Sequence, residues 1–339
     1  MSGYATGNGF CEITHMEDIP QGTPTTQDSF TSPRVHTHIK KRKNMFSKRA
    51  YSVIIGIVLA LALVLVGCSK AGNASGAGDG KAGTASLGKT RTVEEIKKAG
   101  TIKIGVFSDK APFGYVDNKG NYAGYDIEYG NRIAKDLGVK VEYVPVEAAS
   151  RVEFLETNKV DIILANFTVT PERAEKVDFA NPYMKVSLGV VSPTDNQVKD
   201  PKDLKDRKVI IVKGTTADTY LSKNLPEVKA QKFEQYTEVT SALSDKRGDA
   251  WVTDNTEALA WAGNNPGFTT SIPSFGTPDT IAAAVAKGNT NLKDWINNHL
   301  VTLGKENFFH KNYEKTLKPV YGTAVNPDEL VVEGGVVTK

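Results

Sequence analysis

Three short stretches hold side chains whose types and spacing suit the capture of a small charged molecule. In Asn166-Phe167-Thr168-Val169-Thr170-Pro171-Glu172-Arg173, Thr170 is a good helix cap and Pro171 suits the first helical position, which puts Arg173 in the first turn. A cation there opposes the helix macrodipole, so Arg173 suits either a bidentate clamp on a carboxylate or a surface pairing with Glu172 or Asp178. The second stretch, Lys213-Gly214-Thr215-Thr216-Ala217, is a strand, a glycine and a helix start; it lacks the spacing of a phosphate-binding P-loop. The third is Asp254, at the end of the apolar run DAWVTD, where a carboxylate caps the next helix or holds an ammonium group. A carboxylate clamp in one place and an ammonium acceptor in another together describe the zwitterionic end of an amino acid.

The elements that must position these groups alternate. Thr92-Val93-Glu94-Glu95 is a capping box before a short helix closed by Gly100, and the strand TIKIGVF follows from Thr101. Tyr125–Leu137 has helical spacing and ends at Gly138; then come a strand at 139–146, a helix at 151–157 and the buried strand VDIILA at 160–165. The alternation restarts with KVIIVK at 208–213, a helix from about Thr216, strands near 228–233 and 249–253, and a helix from Thr237 to Lys246 between them. Two such series predict an α/β protein of two lobes, each with a mostly parallel sheet. Crossing strands are expected at 185–191 and 278–285, with the site in the cleft between lobes, outside the carboxyl ends of the strands.

The 339 residues are 40% hydrophobic, a globular composition with room for two domains. Lys and Arg outnumber Asp and Glu 42 to 39, and that surplus lies within residues 1–49. The remainder is formally neutral and offers no basic footprint for nucleic acid.

Residues 50–66 (AYSVIIGIVLALALVLV) are uncharged and follow the basic residues Lys40–Lys43, Lys48 and Arg49. That is the pattern of a secretory signal, shorter than the roughly 20 apolar residues of a spanning helix. Leu65-Val66-Gly67-Cys68 resembles the lipobox of bacterial lipoproteins, which implies cleavage before Cys68 and its acylation. Residues 1–44 are expected to be an upstream-start artefact or removed leader, with 45–67 as the signal. The Gly-, Ala-, Ser- and Lys-rich stretch that follows Cys68, to Gly88, is expected to be a flexible tether with a reach of roughly 25 Å.

From about Thr92 the chain resembles the polar amino acid solute-binding proteins of ABC transporters, the family 3 periplasmic-type binding proteins. The matching motifs are Gly124-Tyr125-Asp126-Ile127, Asp161-Ile162 with Thr168 to Arg173, Val177-Asp178-Phe179 with Pro182-Tyr183, Lys213 to Thr216, and the strand ending at Asp254. The resemblance implies a periplasmic-binding-protein-like (Venus-flytrap) fold on a two-strand hinge, with lobe 1 at 89–184 and 281–339 and lobe 2 at 185–280. It also implies roles. Arg173, Thr168 and the Thr216 N–H would bind the ligand α-carboxylate, Asp254 and the Asn166 carbonyl its ammonium, and Phe107 would line the side-chain pocket. Glutamine binders carry an aspartate where Phe107 stands, and Asn166 replaces a common glycine.

The runs RVEFL (151–155), NKVDIILANFT (158–168), KGTTAD (213–218), DKRGDA (245–250), FFHK (308–311) and VEGG (332–335) resemble cysteine-binding members most, so L-cysteine is the first expectation. The rival is aspartate or glutamate, because acidic-amino-acid binders also carry an arginine where Arg151 stands. The expected partners are the amino acid, ABC permease and ATPase subunits and a membrane reached through Cys68, for an exported monomer without cofactor or metal. An enzyme of the cyclohexadienyl dehydratase kind is disfavoured, because no His or Cys lies near the motifs. A sensor ectodomain would need a separate signalling partner.

Overall fold

The computed structural model describes residues 89–337, which fall within one unit, Asp79–Lys339. The expected leader, signal, Cys68 and tether lie outside the described residues.

The order of elements follows the alternation in the sequence. Helix α1 (Val93–Ala99) carries the reciprocal cap of its capping box: Thr92 Oγ1 accepts from Glu95 N, and the Glu95 carboxylate accepts from Thr92 N. Strand β1 (Thr101–Val106) leads to three short strands, β2 (Asp109–Lys110), β3 (Gly114–Val116) and β4 (Tyr122–Ala123), which form a small antiparallel sheet of their own. Helix α2 (Tyr125–Leu137) stops at Gly138, whose φ of 73° is the left-handed cap conformation that glycine adopts most freely. Then come β5 (Lys140–Pro145), α3 (Arg151–Glu156), β6 (Ile162–Ile163) and α4 (Pro171–Ala174).

The second series is β7 (Val177–Pro193), β8 (Val209–Val212), α5 (Thr216–Asn224), β9 (Gln231–Phe233), α6 (Tyr236–Ser244), β10 (Ala250–Asp254) and α7 (Asn255–Gly263). Strand β11 (Phe268–Ala286) returns to the first half, where α8 (Thr290–Lys305), α9 (Phe308–Thr316), α10 (Lys318–Tyr321) and α11 (Pro327–Leu330) complete the chain.

The large sheet runs β5-β1-β6-β11-β7-β10-β8-β9. At one end β1 pairs parallel with β5 and β6; at the other β8 pairs parallel with β9 and β10. Between them β7 and β11 run antiparallel from Pro193↔Phe268 to Val177↔Ala286, serving both halves. They contain the two crossing segments expected from the sequence, at more than twice the length. Their pairing slips repeatedly between Thr270 and Ala284. Slips of this kind let one ribbon change twist as it leaves one core for the other.

Three apolar clusters follow this layout. One lies under α2, α8 and α9, and another under α5 around β8 and β10. The third joins Phe107, Leu155 and Phe167 of the first half to Val212, Tyr236 and Trp251 of the second. Apolar burial therefore helps hold the halves together, at roughly 1.5–3 kcal/mol for each large side chain removed from water.

Candidate functional site

The loop after β6 is laced to β11: Thr168 bridges Ile281, and Val169 N donates to the Thr280 carbonyl at 2.9 Å. Within it Asn166 adopts a φ of 45°, a left-handed conformation that asparagine tolerates better than most non-glycine residues. A buried carboxylate fixes the turn. Asp126, near the start of α2, accepts from Asn166 N at 2.8 Å and from the Tyr183 hydroxyl at 2.7 Å. Burial pushes the Asp126 carboxyl up to about 7, against the pull of those two hydrogen bonds.

Thr170 caps α4 as expected, accepting from Arg173 N at 3.3 Å, with Pro171 at the first helical position. The Arg173 side chain makes neither of the surface pairings considered from the sequence, since Glu172 pairs with Lys223 and Asp178 with Lys287. Instead it donates to the carbonyls of Thr168 at 2.7 Å and Gly214 at 3.1 Å. Arg151, 3% exposed, donates to the carbonyls of Ala148 at 2.9 Å, Ala165 at 3.0 Å, and Asn166 and Gly214, both at 3.3 Å. The Asn166 carbonyl expected to hold a ligand ammonium therefore already accepts from Arg151.

Two guanidinium groups thus converge on one carbonyl, Gly214 O. Both lie over the Phe167 ring, at 4.4 Å for Arg151 and 4.8 Å for Arg173. Among the described residues neither forms an ion pair. Burial pushes the Arg151 pKa down, and burial together with the neighbouring Arg151 pushes Arg173 down to about 9. Arginine stays protonated in proteins, so the lowered values mean two cations held at a cost that an anion would relieve.

Gly214 belongs to the second half and has a φ of 75°. A Cβ there would stand 2.5 Å from Ala149 Cα, so glycine is what lets the two backbones meet. Beyond it, Thr215 caps α5 through Asp218 N, and Thr216 is the first residue of that helix.

The other end of the cleft is arranged differently. Asp254 occupies the cap position of α7 but makes no capping hydrogen bond. Its carboxylate accepts from Lys110 Nζ at 2.8 Å, and Glu257 Oε2 lies 2.9 Å from the same ammonium. Tyr236 completes the set, its hydroxyl 3.1 Å from Lys110 Nζ and its ring centroid 4.5 Å away. Lys110 is 1% exposed. Burial works against its charge, but Asp254 and Glu257 outweigh it and the pKa ends well above the ordinary lysine value. Next to it, Asp109 accepts from Tyr236 N at 2.8 Å at the start of α6. Phe107 lies between the two ends, its ring centroid 5.5 Å from the Arg151 guanidinium carbon and 5.7 Å from Lys110 Nζ.

The structure therefore gathers Phe107, Arg151, Asn166, Thr168, Arg173, Thr216 and Asp254 along one seam between the halves. Sequence reasoning missed Lys110, Tyr236 and Glu257, and named Asp126 only within a family motif, without a role. The only local signal for Lys110 was a lysine set between Phe107 and Pro112-Phe113.

An α/β protein with two parallel half-sheets joined by two long strands, and with charged groups facing each other where the halves meet, has the architecture of a binding protein. Residues 102–319 match the family described as bacterial extracellular solute-binding proteins, family 3, and the chain belongs to that family. A solved cysteine-binding protein from Campylobacter jejuni is 54% identical, covers 71% of this chain and 98% of its own, and has a TM-score of 0.70. A solved solute receptor for L-cysteine from Neisseria gonorrhoeae is 52% identical, covers 72% and 100%, and also has a TM-score of 0.70. A glutamine-binding protein from Geobacillus stearothermophilus is 32% identical over 226 residues, 65% of this chain and 85% of its own. Among the described residues no helix is long and apolar enough to cross a membrane.

Proposed function

We propose that the chain binds a free L-amino acid, L-cysteine before others, and delivers it to an ABC permease driven by its ATPase. The observation that carries this reading is the pair of guanidinium groups, Arg151 and Arg173, held on backbone carbonyls without a counter-anion and opposite the carboxylate of Asp254. A ligand α-carboxylate supplies the missing anion to Arg173, with the Thr168 hydroxyl and Thr216 N–H as further donors. The ligand ammonium takes the remaining acceptor capacity of Asp254 and Asn166 O. Phe107 offers an apolar wall to a small side chain. The two cysteine-binding relatives above half identity support cysteine. No chemical step is required, only closure about β7 and β11 as a hinge, driven by a ligand that binds the closed form more tightly than the open one.

The reading extends to the cell surface. Signal cleavage before Cys68 and its acylation would anchor a monomer on the outer membrane face, leaving the folded body on its tether. A mature mass that begins at lipidated Cys68 supports this; one that includes residues 1–44 refutes it.

Arg151 favours a second reading. Its uncompensated charge would suit the side-chain carboxylate of aspartate or glutamate. Isothermal titration of the purified chain, unfolded and refolded to strip carried-over ligand, separates the two. Tight binding of L-cysteine under reducing conditions, with no heat from the acidic amino acids, supports the first. Tight binding of an acidic amino acid that is lost in Arg151→Ala replaces it with the second, and an absence of heat with all twenty amino acids overturns both.

A further inference from the structure

The ammonium of Lys110 sits where the proposed reading places the ligand's own ammonium partner. It donates to Asp254 at 2.8 Å and to the Tyr236 hydroxyl at 3.1 Å, and Glu257 Oε2 stands at ion-pair distance, 2.9 Å. A lysine buried to 1% exposure is rare unless it is paired, and this one is paired twice. It is also a contact across the cleft, because Lys110 comes from β2 in the first half while Asp254, Glu257 and Tyr236 belong to the second.

We infer that Lys110 sets the charge class of the amino acid bound: by occupying Asp254 and Glu257 it admits neutral or anionic side chains and turns cationic ones away. The inference rests on the amino-acid reading above and narrows it. The seam holds three cations, Lys110, Arg151 and Arg173; Lys110 occupies Asp254 and Glu257, Asp109 accepts from Tyr236 N, Asp126 from Asn166 N and the Tyr183 hydroxyl, and Asp279 lies near Arg173. Lys110 Nζ and the Arg151 guanidinium carbon both lie within 6 Å of the one Phe107 ring, at 5.7 and 5.5 Å. A ligand held between them meets Asp254 and Glu257 only behind the ammonium that already occupies both. Its α-ammonium already shares Asp254 with Lys110. A guanidinium or second ammonium would add a further cation to an interior that screens charge poorly. A thiol, an amide or a carboxylate adds none.

The test is isothermal titration of the refolded full-length chain in detergent with L-cysteine, L-glutamate, L-aspartate and L-arginine. Its readout is the affinity for arginine relative to the tightest of the other three. The unmodified chain should disfavour arginine at least a hundredfold, and Lys110→Met should narrow that ratio at least tenfold. Lys110→Arg keeps the charge in a different shape and should keep the discrimination. If Lys110→Arg relaxes it as far as Lys110→Met does, shape rather than charge selects and the inference fails. Lys110→Met bares two carboxylates, so the double variant Lys110→Met, Glu257→Met offers a second route should the single one not fold. An unchanged ratio in either folded variant overturns the inference. An unmodified chain that takes arginine within tenfold of its best ligand overturns it while leaving the amino-acid reading intact. A chain that binds no amino acid at all overturns the reading itself.

Discussion

The two ends of the seam hold cations in opposite ways. At one end Lys110 is deeply buried and paired, its charge met by Asp254 and Glu257 at ion-pair distance. At the other, among the described residues, Arg151 and Arg173 hydrogen-bond only to carbonyl oxygens. A buried charge with partners holds a fold in one conformation, whereas a buried charge without them stores a cost for a ligand to relieve. On the proposed reading the Lys110 end works as a clasp on closure, and the arginine end as the place where an anion is awaited. The same length of seam separates a structural task from a binding task by nothing more than which cation has a carboxylate beside it.

Removing charge at each end should break the comparison in opposite directions. Lys110→Ala leaves Asp254 and Glu257 buried against each other and should cost about 3–5 kcal/mol of stability in the empty protein, read by chemical denaturation. Arg173→Met should leave the empty protein as stable as before, or more so, because it deletes an uncompensated cation. Its loss appears in titration calorimetry instead, as an affinity lower by about 2–4 kcal/mol, or 30-fold to several hundredfold. If Arg173→Met destabilises the empty protein as much as Lys110→Ala does, the arginine end is not waiting for a ligand.

Behind the arginine end Asp126 gives a prediction in pH. Its folded carboxyl titrates near 7 against an ordinary value of 3.8, so between those values the native state holds a proton that the unfolded chain has released. Stability from this group is therefore present at low pH and lost as pH rises from about 4 to about 7, about 4 kcal/mol in all, or a fall in Tm of roughly 10–15 °C for a body of this size. Asp126→Asn should remove that slope, and thermal melts of the two proteins across the window decide it; parallel curves would mean that Asp126 is ionised throughout.

How much of this was legible in the sequence depended on how local the cause was. Helix α2 was read to the residue because its apolar spacing and Gly138 lie within one stretch. The capping box at Thr92 and the Thr170-Pro171 helix start were likewise local. The crossing strands were read too short because β7 and β11 change from one core to another along their length. The alternation that marks a strand fails at Asn181-Pro182 and Pro278-Asp279. The sheet of β2, β3 and β4 escaped notice, since strands of two or three residues have no period to detect. Arg173, Thr168 and Asp254 were found because each stands beside a strand end or helix start. Lys110 was not, since its carboxylate partner Asp254 is 144 residues away and nothing near Lys110 announces a buried lysine.

Backbone at the meeting of the halves allows a smaller perturbation. Gly214→Ala forces a side chain into φ 75° and sets its Cβ 2.5 Å from Ala149 Cα. The strain falls on the closed form, because Ala149 stands across the cleft. Affinity should drop by roughly 1–2 kcal/mol, about tenfold, and the radius of gyration with ligand, measured by small-angle scattering, should shift toward that of the empty protein. Closure to the same radius and unchanged affinity would show that the halves meet without this contact.

The smallest effect is expected from a third pairing across the cleft, Lys223 with Glu172. Its side chains are 58% and 57% exposed, and although the Glu172 carboxyl is drawn down to about 2 by Lys223, the pair sits in water and salt. An exposed pair loses to screening and side-chain entropy what it gains in Coulomb energy, so contact alone does not make a clasp. Glu172→Gln should leave affinity, melting temperature and closure within experimental error at physiological salt, in contrast to Lys110→Ala, which removes a pairing of the same chemical type. A Glu172→Gln variant that opened the protein as Lys110→Ala does would show that closure follows the number of ion pairs across the seam. If it has no effect, closure depends on the burial of the pair, which is what separates Lys110 from the other paired lysines among the described residues.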